Sequence, residues 1–234
     1  MSAPWEGSAI TLVNDLQRVF AGRLLSVIVY GQVLDEPTQA TLTTFVLVAS
    51  LSQDDLQGCA GLVGGWAKAG IDTPLILPDK EFRRSLDTFP LEYADILAAH
   101  ARVFGPDPFE NVILNTEDLR RACEKQVKGH LLHLREGYIE ARGGPLAISQ
   151  LVSASAPAFA ALLRSVARLL GVTAPTRIET ALAGAHSLGL PETTVSQVLS
   201  LAGATAKTSD GARLFPSYLS VVEQLADAVD TWRP

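Results

Sequence analysis

Residues 24–48 read LLSVIVYGQVLDEPTQATLTTFVLV, and the two apolar runs in and around this stretch, 24–30 and 44–49, decide the fold. LLSVIVY is almost unbroken apolar sequence, ended by Gly31. A strand with one face in water alternates polar and apolar residues. A continuous run instead suits a central strand covered on both faces. TFVLVA, 44–49, has the same character, and a polar loop with Pro37 separates the two. The spacing predicts two buried strands of one sheet with helices packed around it.

Working outward, Ile10, Leu12, Val13, Leu16, Val19 and Phe20 recur at helical spacing over 9–21, with Ser8 as the expected N-cap. Ser52 to Asp55 forms a capping box that starts a helix expected to reach about Ala69. Gly58, Gly61, Gly64 and Gly65 fall inside it and match no phosphate-binding motif. Their spacing suggests a helix lying close to the sheet. PLIL, 74–77, reads as a third strand, Asp79 as the cap of a short helix through Ser85, and 92–103 as another strand. GPDPFENV, 105–112, disfavours regular structure.

After that break the pattern is helical to the end. Helices are expected at 116–141 with Thr116 as cap, at 146–170 with Pro157 kinking or splitting it, and at 176–187, 192–203 and 216–232. Pro216 suits a first turn. The chain thus reads as an α+β unit, 1–114, followed by an all-α helical bundle, 115–234, each large enough for its own core. A cleft is expected where they meet.

Composition narrows the function. Of 234 residues 47% are hydrophobic and 19% charged, which is ample material for a core and the opposite of a disordered chain. A net charge of -6 argues against nucleic acid or an anionic membrane as a partner. No apolar run is expected to reach the roughly 18 residues of a membrane span, and MSAPWEGSAI is unlike a signal peptide. A cytoplasmic protein is the expectation. Cys59 and Cys123 stand apart without metal-ligand spacing and read as buried packing residues.

The stretch from Leu24 to Val48 resembles the core motif of the nucleotidyltransferase superfamily, whose small bacterial members carry a C-terminal helical bundle. That motif is an apolar strand, Gly-Ser, a loop, then Ser-Asp-apolar-Asp and a second apolar strand. Gly31 stands at the glycine. The segment 74–109 looks like the later strands of these proteins, and KQVKGHLLHLREGYIEA, 125–141, like the first bundle helix. The resemblance implies a phosphate-binding turn and two aspartates holding Mg²⁺. Here Gln32 replaces the serine, and aligning TLTT, 41–44, puts Leu42 and Thr44 at the aspartates. Residues 38–52 contain no Asp or Glu in any register. Mg²⁺ is a hard cation that needs carboxylates, phosphates and water. The expectation is therefore a nucleotidyltransferase-like protein that has lost metal-dependent transfer. No cofactor is expected.

In that reading Gly31, Gln32 and Thr44 line the floor of a ligand site for a nucleotide or small anion, and Arg121 or Lys128 its wall. The alternative is an active Mg²⁺-dependent enzyme with Asp95, Glu92 and a loop acid such as Asp35 rebuilt into a metal site. A third reading is a structural module that binds a protein partner or forms a homodimer. On the helix over 116–141, Arg121, Lys125, Lys128 and Arg135 fall within about an 80° sector. A solvated stripe is the simpler reading, since Glu124 can pair with Lys128. His130 and His133 share that helix, the first expected inward and the second outward.

Overall fold

The computed structural model describes residues 3–34, 41–202 and 210–233. The chain divides into two compact units, Met1–Leu114 and Asn115–Pro234. The first runs α1 (Glu6–Phe20), β1 (Leu24–Tyr30), β2 (Thr43–Val48), α2 (Gln53–Ala60), α3 (Val63–Lys68), β3 (Leu75–Pro78), α4 (Asp79–Arg84), α5 (Pro90–Ala98) and β4 (His100–Phe104). The sheet order is β3-β2-β1-β4. β1 pairs antiparallel with β2 and β4, and β2 pairs parallel with β3.

The two continuous apolar runs are the two inner strands, covered on both faces as their composition requires. Val27, Val29, Val46 and Val48 pack against Leu12, Leu16 and Phe20 of α1 and Trp66 of α3. Ile28, Phe45 and Leu47 pack on the other face against Phe82 of α4, Tyr93 and Ile96 of α5, and Phe109. Phe45, Phe82 and Phe109 meet with ring centroids 5.1–5.2 Å apart.

Polar ties fix the helices. The Trp66 indole donates to buried Asp15 at 2.9 Å, joining α3 to α1. The capping box at Ser52 and Asp55 is present, and Arg23 closes on Asp55 through two bonds of 2.7 and 2.6 Å. Arg23 and Ser52 together hold the Asp55 carboxyl well below the usual range, against the effect of burial. Gly105 ends β4 at φ +70, where a Cβ would sit 1.9 Å from the Leu25 carbonyl oxygen. Only glycine fits that close approach.

Several expectations are corrected. The segment 92–103 is helix α5 followed by the short strand β4. Pro90 is the first residue of α5, where its missing N–H costs nothing. The helix expected over 52–69 breaks at Gly61 into α2 and α3. Its glycines do not approach the sheet: Gly58 meets Val19 of α1, and Gly64 and Gly65 face open space. Trp5 rather than Ser8 precedes α1, and Pro78 rather than Asp79 precedes α4.

The second unit comprises α6 (Thr116–Glu140), α7 (Pro145–Leu169), α8 (Arg177–Ser187), α9 (Glu192–Ser200) and α10 (Asp210–Thr231). Asn115, not Thr116, caps α6, accepting from the Glu117 and Asp118 amides at 2.8 and 3.2 Å. Helix α7 runs unbroken through Pro157, and Pro216 lies inside α10 rather than in its first turn. Helix α7 packs on the other four helices. By length and a mean hydropathy of 1.7 it could cross a membrane, although half of that apolar window is buried within the protein. Ser149, Ser153, Ser155 and Ser165 on its buried side interrupt any continuous apolar run.

Candidate functional site

One end of the sheet in the first unit carries a row of polar side chains. Tyr30 ends β1 and lies opposite both Thr43 at the start of β2 and His100 at the start of β4. Directly opposed residues share a face, so the three side chains form one row across the strands. Gly31 then turns the chain away at φ +84, followed by a single 3-10 turn over Gln32–Leu34.

Asp72, just before β3, joins this row. Its Oδ2 accepts from the Thr41 hydroxyl at 2.6 Å and the Thr43 hydroxyl at 3.3 Å. Burial raises the pKa of the Tyr30 phenol, and the carboxylates of Asp95 and Asp72 raise it further. Tyr30 therefore stays a protonated hydroxyl. At the β4 edge His100 bonds through Nε2 to Asp107 at 2.9 Å and through Nδ1 to the Ile96 carbonyl at 2.9 Å. Burial opposes the charge on Asp107. Hydrogen bonds from His100 and the Phe109 amide, with Arg102 near, outweigh it and hold the carboxyl below its ordinary value.

The residues singled out from sequence fall in different places. Gly31 is at the turn, and Gln32 beside it is exposed. Leu42 and Thr44 are 2% and 1% exposed. They share the strand parity of Val46 and Val48, facing the α1 and α3 layer, so Thr44 does not line an accessible floor. Its Oγ1 is buried with no hydrogen-bond partner. Glu92 and Asp95 sit on helix α5 rather than on a later strand. Glu92 is exposed and Asp95 half-buried. Asp35 lies outside the described residues. Among the described residues no three His, Cys, Asp or Glu side chains gather as metal ligands. Sequence reasoning missed Tyr30, Thr43, Asp72 and the His100–Asp107 pair. A threonine at each of 41 and 43 was the one local sign of an accepting partner.

In the second unit the basic edge of α6 is laced to acids. Arg121 pairs with Asp118 at 2.6 Å, Lys128 with Glu124 at 2.6 Å and Asp230 at 2.9 Å, and Arg135 with Glu223 at 2.8 Å. Glu124 and Asp230 raise the pKa of Lys128. Those partners neutralise much of the edge, as expected of a solvated stripe. His130 is buried and His133 exposed, as read from the sequence. His130 Nε2 lies 2.7 Å from the Tyr218 hydroxyl. Cys123 is buried and its thiol pushed up to about 12, which leaves no thiolate.

No protein-family model matches the sequence, and no curated protein matches it. Among solved structures the chain is similar to a spectinomycin adenyltransferase from Enterococcus faecialis, determined with ATP and spectinomycin. The TM-score is 0.57 at 11% identity, over 93% of this chain and 98% of that one. The mixed four-stranded sheet with flanking helices and the helical bundle after it together make a nucleotidyltransferase-like fold.

Proposed function

We propose that this chain is a nucleotidyltransferase-fold protein without metal-dependent nucleotidyl transfer that binds a nucleotide or another small anion. One observation carries the reading: β2 has no acidic residue, and the two positions aligned with the motif aspartates, Leu42 and Thr44, are packed into the core. Without a carboxylate pair there, the charge developing in phosphoryl transfer loses its main stabiliser. What supports retained binding is the turn at Gly31, which keeps the left-handed conformation and an exposed Gln32. The similar solved structure was determined with ATP.

Thermal unfolding with ATP, GTP, CTP and UTP, each with and without Mg²⁺, tests this. A ligand that binds the native state raises the midpoint. A shift that needs no Mg²⁺ is expected. No shift with any nucleotide defeats the proposal. The competing reading is an active Mg²⁺-dependent enzyme with Asp95, Glu92 and a loop acid such as Asp35 rebuilt into a metal site. It requires Mg²⁺-dependent turnover that disappears in Asp95→Ala.

A further inference from the structure

We propose that His100, with a proton on both ring nitrogens, clasps the segment after β4 to the end of α5, and that loss of one proton opens the clasp. The two partners of the ring call for both protons. Nδ1 lies 2.9 Å from the Ile96 carbonyl oxygen, and Nε2 lies 2.9 Å from Asp107 Oδ2. A carbonyl oxygen only accepts, and so does an ionised carboxylate. A neutral imidazole has a single N–H and would turn a lone pair toward one of these oxygens. An imidazolium donates to both. Asp107 is held below its ordinary carboxyl value, so it stays an acceptor where histidine titrates. The Phe109 ring lies 5.6 Å from the imidazole, centroid to centroid, close enough for the attraction of a cation to an aromatic ring.

The clasp holds the segment 105–112, which belongs to no helix or strand. Asp107 reaches into it with its other oxygen: Oδ1 accepts from the Phe109 amide at 2.8 Å. A single carboxylate thus joins His100 to the turn that carries Phe109. That ring is 3% exposed and packs against Phe45, Phe82 and Tyr93. Without a ladder to hold the segment, a side-chain tie of this kind sets how firmly it sits. The charged and titratable groups around His100 come from three directions. Asp107 lies on the segment, with Arg102 of β4 near it. Tyr30 of β1 stands opposite His100 in the sheet, and Asp95 and Asp72 act on its phenol. Ordinary carboxylates, arginine and tyrosine keep their charge where histidine changes its own, between about pH 5 and about pH 8. A change of charge in that range is therefore assigned to His100. This inference does not depend on ligand binding at the sheet end.

Magnetic resonance of the full chain with isotope-labelled histidine, followed from about pH 5 to about pH 9, reads the ring protons directly. Hydrogen exchange over the same range reads the Phe109 amide. Its protection, taken relative to an unstructured chain at the same pH, should fall on the order of tenfold as His100 gives up its second proton. In Asp107→Asn the side-chain oxygen still accepts from the Phe109 amide, and the new NH₂ donates to a neutral ring, so the pH dependence should vanish. His100→Gln, which has no ring to titrate, should abolish it too. Phe109 protection that stays constant while the wild-type ring loses its second proton overturns the proposal. So does a pH dependence of the same size in Asp107→Asn or His100→Gln, which would place the titrating group elsewhere.

Discussion

Acid should unfold the helical bundle through His130. The ring is 8% exposed, stacked near Phe159 and bonded at 2.7 Å to Tyr218, whose hydroxyl also lies 3.2 Å from Ser155 Oγ. Burial, and then the neighbouring His133, lower its pKa from 6.5 to about 4. The unfolded chain therefore binds this proton more readily than the folded one. The stability His130 contributes as a neutral ring is complete above pH 6.5 and is lost as pH falls from 6.5 toward 4. The full difference is about 3 kcal/mol, and about 2 kcal/mol of it is gone by about pH 5. Urea unfolding at about pH 7.5 and about pH 5 measures the loss. Carboxylates held low, Asp55 and Asp107 among them, also lose stability in acid. The comparison is therefore with His130→Gln, which keeps a hydrogen-bonding group beside Tyr218 and cannot titrate. Wild type should lose about 2 kcal/mol more than the variant over that range. Equal losses would mean that the proton does not go on His130, and the reasoning from burial would be wrong.

Thr44→Val removes a buried hydroxyl without a partner and should stabilise the protein by about 1 kcal/mol in urea unfolding; a loss of stability would show that the hydroxyl is bonded. Gly105→Ala forces a Cβ to 1.9 Å from the Leu25 carbonyl at φ +70 and should cost about 3 kcal/mol or more, with Tm falling to match; an unchanged Tm would mean the β1–β4 junction is not rigid. Leu42→Asp with Thr44→Asp should unfold the α+β unit rather than restore turnover, because both charges would enter the core; a folded double variant with Mg²⁺-dependent nucleotidyl transfer would refute the closed-core reading.

The inner strands were legible because a continuous apolar run has few other uses. β1 occupies Leu24–Tyr30 as read, and β2, Thr43–Val48, begins and ends one residue earlier than read. The helix–strand pair at 90–104 was not legible. Its alanines and leucines fit either state, and Pro90 is a first helical residue. Pro157 and Pro216 mislead in the same way: packing against neighbouring helices holds α7 and α10 together through both. The sheet-end row was hidden for another reason. Asp72 reaches Thr41 and Thr43 from about thirty residues away, a contact that the β2–β3 pairing creates and no local spacing announces. His100 and Asp107 are close in sequence, but the turn at Gly105 is what brings them together.

The alternation of β2 decides which groups any chemistry could use. Leu42, Thr44 and Val46 point into the layer under α1 and α3 at 2%, 1% and 0% exposure, and Phe45 points into the aromatic cluster on the other side. A shift of one residue in reading this strand exchanges the two faces. Aligning the motif aspartates with Leu42 and Thr44 therefore selects the row that the core has closed over. The other row, Thr43 with Tyr30 and His100, carries the hydroxyl groups and the imidazole, with Asp72 bonded to it. Asp95 acts on the same phenol from α5. Packing of this kind is self-reinforcing. Each neighbour that packs against an apolar residue raises the cost of placing a charge at its position. At this end of the sheet the groups outside the closed core are the Tyr30 hydroxyl, Thr43 and the turn at Gly31, with the Asp72 carboxylate beside them.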